Sequence, residues 1–477
     1  MLEVSISKVK GIFAKGLCEN VYIKKIVDFL GKIYDSNYFF AVAVAIAVSG
    51  FTFRFEIIAM SILLILASIG FLLIKNLTPT FLCIFLTCMV PLRFYGATAE
   101  MFLPLIIFLG IAVISMLSRM LIFPIKYRPN KLFYSQLIYS VALILGGLGY
   151  LTFKQYISLV PIYTILGLGV FQLFFLVYFS SYYKIADDKV VSDFSRMMVA
   201  IGINCLLFFL CEYLVNIPTF ITDGFYLPCL QWKNNVGNVL LLAMPFCFYF
   251  IIKNKKPIIN SIIVSLLLIV LFISRSRGAT IFGLIVFIIG AIYTFAKVDK
   301  TTKKKFGIVL GVLLAIAIIL VIIYWENILP AIQKSLADKS SGRFDIYKLG
   351  FNLFKESPIF GIGFYYLKIY DISSLGGNMT VCLFHSTFFQ LIASLGLFGL
   401  ISYSTVAFFK WQQALQNHTF NRVALFSLLG FALYSMINTG TVIPLPCMTI
   451  VTMITVICYK HNIYENNKNV NYFEISK

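Results

Sequence analysis

Long apolar runs, each close to the length of a bilayer-crossing helix, alternate with short polar connections along nearly the whole chain. A helix needs roughly 20 predominantly apolar residues to cross hydrocarbon. On that basis the pattern predicts spans at 38–53, 57–74, 80–95, 101–118, 132–151, 157–182, 197–216, 236–252, 258–273, 279–296, 306–324, 387–409, 423–438 and 442–459. The first is short and Pro91 interrupts the third. The expectation is therefore an all-α polytopic membrane protein with about 12–14 transmembrane helices.

Two stretches break this alternation. Residues 325–386 form the longest connection and lack the composition of a disordered loop. Within it Phe344, Tyr347, Phe351 and Phe354 recur at helical spacing between Gly342 and Glu356. Pro358 then stops the helix and Gly361-Ile362-Gly363 makes a tight turn. The segment reads as an amphipathic helix lying over the membrane surface, followed by a return to the bilayer. Residues 1–36 lack the apolar core of a cleavable signal peptide. Instead Ile6, Val9, Ile12, Phe13 and Leu17 sit at helical spacing among Lys8, Lys10 and Lys15, as in an interfacial helix on the cytoplasmic leaflet. With no long-period repeat and no low-complexity stretch, residues 1–477 read as a single transmembrane domain.

Composition agrees with the pattern. Hydrophobic residues make up 60% of the chain and charged residues 12%. One soluble core cannot hide that much apolar surface, so lipid must solvate much of it. The net charge of +20 would suggest nucleic acid in a soluble protein. Here the basic residues gather in alternate connections, as between Arg119 and Lys131 and between Lys297 and Lys305. That bias places both termini in the cytoplasm and the 325–386 loop outside it. No CxxC pair occurs, which argues against a structural metal site. Cys229 and Cys382 both fall on outward connections, where a disulfide is permitted.

Candidate chemistry lies on the outward side. Ser274-Arg275-Ser276-Arg277-Gly278 fixes two guanidinium groups at one turn. Such groups suit a phosphate headgroup, although a snorkelling arginine also anchors helix ends. Arg343 opens the loop helix, where it either meets a ligand or belongs to a solvated face beside Asp345. His385 stands where the loop returns to the membrane; it can act as a base on a hydroxyl or hydrogen-bond a phosphate or a carbonyl. His418 and His461 read as solvated loop residues on the inner side. Asn234 and Asn235 follow Trp232-Lys233 and can bond sugar hydroxyls or cap a helix. Glu212, inside a span, and Glu100, Glu326 and Asp223, further out, are acids among which the sequence does not choose a base. The chain has no P-loop, no GxGxxG after a strand, no HExxH and no outward DxD. Nucleotide-powered transport and metal-dependent transfer from a nucleotide sugar are therefore not expected.

In order along the chain, Lys233-Asn234-Asn235 is followed by Pro245, then Ser274-Arg275-Ser276-Arg277-Gly278, Arg343-Phe344-Asp345, Pro358-Ile359-Phe360-Gly361-Ile362-Gly363, His385-Ser386 and Gly396-Leu397-Phe398-Gly399. This series resembles the O-antigen ligase and O-antigen polymerase superfamily (Wzy/WaaL-like) of bacterial surface polysaccharide assembly. The resemblance covers residues 232–400; the first 200 residues share only their apolar spans. It implies a GT-C-like, metal-independent, inverting glycosyltransferase without a cofactor, in the bacterial cytoplasmic membrane. Its donor would be an undecaprenyl pyrophosphate-linked glycan. Arg275, Arg277 and Arg343 would hold the pyrophosphate, His385 and Arg343 would be catalytic, and Asn234 and Asn235 would contact sugar. Membrane lipids and the chain-length regulator and flippase of the same pathway are the implied partners; nucleic acid is not. The first reading is a polymerase of lipid-linked O-antigen or capsular repeat units. The alternatives are an O-antigen ligase acting on lipid A–core or another acceptor, and a lipid-linked glycan flippase. A transporter calls for charges near the midplane, whereas the charges here sit mostly at loop ends.

Overall fold

Every segment read as a span contains helix, and no strand occurs among the described residues. The computed structural model describes residues 21–93, 103–123, 125, 127–147, 165–215, 233–274, 276–323, 325, 343–363 and 384–475. In chain order the helices are α1 (Val21–Tyr34), α2 (Asn37–Phe53), α3 (Glu56–Leu73), α4 (Leu77–Met89), α5 (Leu105–Ile122), α6 (Lys131–Gly147), α7 (Phe171–Tyr182), α8 (Asp188–Val215), α9 (Lys233–Ala243), α10 (Phe246–Ile252), α11 (Pro257–Ile273), α12 (Arg277–Lys297), α13 (Lys300–Ile323), α14 (Arg343–Glu356), α15 (Thr387–Ala414), α16 (Thr419–Ser435) and α17 (Thr449–Ile475). Among the described residues, six helices are long and apolar enough to cross a membrane singly, seven if the bent pair α1–α2 counts as one span. The helices α4, α6 and α11 are shorter apolar ones. On α5, Ile107, Ile114 and Leu121 are all exposed, a face that only lipid can cover favourably. The chain is a membrane protein.

Two compact units form, one from residues 1–127 and 188–236, the other from 128–187 and 237–477. In the first, local chemistry sets the helix ends. Ser36 caps α2 by accepting from Phe39 N, and Asn76 caps α4 by accepting from Thr78 N. Arg119, buried on α5, donates to the carbonyls of Phe71, Ile74 and Lys75. Phe71 lies in the last turn of α3 and Ile74 and Lys75 just past it, where helix carbonyls run out of intrahelical donors. Asn76 also joins Asp35 to Asp193, while Lys189 and Arg196 neutralise the pair. The helix α1 meets α2 at 67° and leaves Tyr22, Ile26, Phe29 and Ile33 exposed on one stripe. That geometry suits a helix resting on a bilayer surface; the residues from Ile6 to Leu17 lie outside the described ones.

In the second unit the chain breaks its spans at defined points. Pro245 separates α9 from α10. The helix α15 breaks at Gly396, where φ is +63°. The turn after α14 fills that break: Ile362 N and Gly363 N donate to the carbonyls of Ala393 and Ser394, and Leu397 N and Phe398 N donate to those of Pro358 and Ile359. Backbone groups freed inside a span must find protein partners, and here each break supplies the other's. The interlock needs two glycines. A Cβ on Gly361 (φ +71°) would stand 2.3 Å from Leu395 N, and one on Gly396 would stand 2.5 Å from the Ile359 carbonyl.

The expected loop helix is α14, and it has two apolar stripes. Ile346, Gly350 and Leu353 are buried, packing with Ile362, Phe384 and Ala393. Phe344 and Phe351 instead remain exposed, 72% and 46%. Of the aromatic stripe legible in the sequence, Phe344 and Phe351 thus face away from the protein, as suits a helix on a membrane surface, while Tyr347 turns inward and stacks on Phe389.

Candidate functional site

Four helix ends of the second unit meet around one turn, residues 434–441, between α16 and the start of the last helical segment. Each contributes through short side chains that let the backbones approach. At the start of α12, Gly278 carries no Cβ because one would stand 2.3 Å from Ile437 Cδ1. One residue before that helix, the Ser276 hydroxyl lies 2.6 Å from the Tyr434 hydroxyl. At the start of α14, Arg343 Nη1 donates to the Ile437 carbonyl at 3.2 Å. At the start of α15, Thr387 Oγ1 lies 2.6 Å from Thr441 Oγ1. On α9, Asn238 packs its amide against Gly440, where a Cβ would stand 2.4 Å from Asn238 Oδ1.

His385 sits just before α15 with φ +49°, a left-handed conformation uncommon outside glycine. Its neighbours hold it there. Tyr347 donates its hydroxyl to the His385 carbonyl at 3.2 Å and stacks on Phe389 with ring centroids 4.5 Å apart. The preceding Phe384 N donates to Gln390 Oε1. The buried His385 Nδ1 has no hydrogen-bond partner. Burial, and next the Arg343 charge nearby, push the imidazole below its ordinary 6.5. His385 is therefore neutral at neutral pH and able to accept a proton. Burial likewise raises the Tyr347 phenol, against the opposing pull of Arg343.

Of the residues singled out in the sequence, Arg343 and His385 come together, and Arg277, exposed, opens α12 one residue after Ser276. Arg275 lies outside the described residues. So do Glu100, Asp223, Trp232, Glu326, Cys229 and Cys382. Asn234 and Asn235 occupy the first turn of α9, half-buried, one turn before Asn238. Glu212 is buried on α8 in the other unit. His461 is not a solvated loop residue: it is buried on α17, its Nδ1 2.8 Å from the Ala186 carbonyl, because helix continues well past the expected span. The turn 434–441 was missed entirely. Its signal is the polar run Asn438-Thr439-Gly440-Thr441 between two apolar segments, too much polarity for a simple hairpin of spans.

The arrangement brings the Arg343 charge to a neutral imidazole. Guanidinium groups hold phosphate oxygens through paired, charge-assisted bonds. A neutral imidazole can act as a base. Compared with known protein families, residues 262–404 match the family model described as O-Antigen ligase. The match is less than a third of the chain, and it includes Arg277, Arg343, His385 and the Gly361–Gly396 interlock. No curated protein matches the sequence.

Proposed function

We propose that this chain, whose residues 262–404 match the O-Antigen ligase family model, is a member of the O-antigen ligase and polymerase superfamily and polymerises lipid-linked O-antigen or capsular repeat units. A glycosyl-transfer activity of the ligase or polymerase type, on lipid-linked glycan, follows from the family. The proposal adds the donor, an undecaprenyl pyrophosphate-linked glycan, the outer face of the bacterial cytoplasmic membrane as the place, and a metal-independent, inverting displacement. The chain-length regulator and the flippase of the pathway would be its partners.

The observation that carries the reading is the juxtaposition of Arg343 with a neutral, partly buried His385. In the proposed step His385 takes the proton of an acceptor sugar hydroxyl. That oxygen attacks the anomeric carbon from the face opposite the diphosphate, and the bond to the diphosphate oxygen breaks. Negative charge then grows on the leaving group, where Arg277, Arg343 and, in the same motif, Arg275 stabilise it without reorganising. The energy is already stored in the donor, so no nucleotide is consumed.

The ligase reading is favoured by one observation, the family model's own description. Both readings share the donor, so they differ only in the acceptor. Glycan chain length in a deletion strain separates them: surface acceptors that carry single repeats identify a polymerase, and acceptors that carry no glycan identify a ligase. Arg343→Ala and His385→Ala, made at normal levels, are expected to reproduce the deletion phenotype. Full activity in both would overturn the site assignment.

A further inference from the structure

The turn 434–441 carries one buried carboxamide, Asn438, and packs against another, Asn238, that the pyrophosphate chemistry does not use. Asn238, on α9, is 0% exposed, and neither its Nδ2 nor its Oδ1 has a hydrogen-bond partner among the described residues. Asn438, on the turn itself, is 6% exposed, and its side chain meets the Tyr434 hydroxyl. A buried amide left without a hydrogen bond is costly, so groups of this kind normally have a partner. The Asn238 amide against this turn and the His385 Nδ1 on the helix end that Thr387 joins to the same turn both lack a partner among the described residues.

The kind of partner follows from the atoms. Asn238 offers a donor and needs a donor in return, because Oδ1 only accepts. A phosphate oxygen can satisfy Nδ2 but has no hydrogen for Oδ1. A lipid tail satisfies neither. A sugar hydroxyl, or the acetamido group of an amino sugar, both donates and accepts. Resting on the proposed function, we infer that Asn238 and Asn438 form a neutral subsite that hydrogen-bonds the glycan of the substrate, next to the cations that hold its diphosphate. Gly440 is part of that subsite, since any side chain there would displace the Asn238 amide.

The test compares two ligands on purified full-length protein in lipid nanodiscs. One is undecaprenyl pyrophosphate without sugar. The other is the lipid-linked oligosaccharide that accumulates in a strain lacking this protein. Asn238→Ala and Asn438→Ala are expected to lose about tenfold or more in affinity for the glycan-bearing lipid while binding the bare carrier as the wild type does. Retained carrier binding also reports that the variants are folded. Unchanged affinity for both ligands would overturn the subsite, leaving the amides a packing role. An equal loss for both would overturn it too, since the residues would then serve the headgroup or the fold. Failure of the proposed function gives a different result: wild-type protein that does not bind the bare carrier, or Arg343→Ala that binds it undiminished.

Discussion

Tyr347 and His385 are joined by a hydrogen bond from the phenol to the histidine's backbone carbonyl, 3.2 Å long, which ties the loop helix to the start of α15. The same helix carries Arg343, whose charge opposes protonation of the His385 imidazole. Position and basicity of the one histidine thus depend on two residues one helical turn apart.

A pH profile follows from that pairing. His385 titrates below its ordinary 6.5 because burial and Arg343 both disfavour the imidazolium. A base is active when unprotonated, so turnover should hold from neutral pH down past 6.5 and fall only as pH drops through the lowered value. Arg343→Gln removes the opposing charge, and the acid limb should move upward even though overall activity also drops. Tyr347→Phe keeps the charge and should leave the limb in place while lowering activity through a less firmly held histidine. Initial rates against pH for the three proteins check all of this; a limb that stays put in Arg343→Gln would remove the electrostatic link.

The interlock between the Pro358–Gly363 turn and the break in α15 predicts a contrast among glycines. Gly361→Ala and Gly396→Ala would each force a left-handed backbone on an L-residue and drive a Cβ into backbone atoms at 2.3–2.5 Å. Each is expected to cost about 2 kcal/mol or more. Gly110→Ala and Gly311→Ala, at helical positions with nothing within 4 Å, should be neutral or mildly stabilising. Thermal unfolding in detergent, read as a midpoint for each variant, decides the matter. Equal midpoints for all four would mean that the turn does not hold the break.

These glycines also show how far the sequence could be read. The Pro-x-x-Gly-x-Gly and Gly-x-x-Gly motifs were visible, and so was the loop helix from Arg343 to Glu356, because helix breakers and a 3.6-residue period are local signals. That one motif plugs the other was not visible, since backbone pairing between Gly363 and Ser394 leaves no trace in side-chain pattern. The buried stripe of α14 was hidden for a related reason. Membrane-facing and protein-facing residues are both apolar, so Phe344 outshone Ile346 although Ile346 makes the core. The turn 434–441 escaped because its importance comes from α9, α12, α14 and α15 arriving together, a property of packing alone. Arg343 and His385 could be singled out because ionisable residues are rare in the connections read as outward, and rarity is something a sequence displays.

Tyr434 links two parts of the site that are far apart in sequence, and a double-mutant cycle measures the link. Its hydroxyl lies 2.6 Å from Ser276 Oγ, next to Arg277. Tyr434→Phe and Ser276→Ala should each lower kcat/KM several-fold. The double variant should be little worse than either, giving a coupling of about 1 kcal/mol. The loss should appear mainly in KM for the lipid-linked donor, because the bond positions the Arg277 turn and neither hydroxyl moves a proton in the reaction. Strict additivity would show that the two side chains act independently.

The first unit offers a prediction about stability rather than chemistry. Arg119 supplies donors to three carbonyls at the end of α3, within 2.6–3.1 Å. Met at this position fills similar space but leaves those carbonyls without it, deep among apolar neighbours. Arg119→Met is expected to cost about 3 kcal/mol. Arg119→Lys keeps the charge yet presents a single ammonium in place of a planar fork, so it should recover only part of the loss. The ranking wild type, Lys, Met should appear in thermal midpoints in detergent. It should also appear in the yield of folded protein from membranes, whereas transfer per folded molecule stays near the wild-type rate because Arg119 belongs to a unit without Arg343 and His385. A Met variant as stable as the wild type would mean that the end of α3 finds other donors, and the capping role would have to be abandoned.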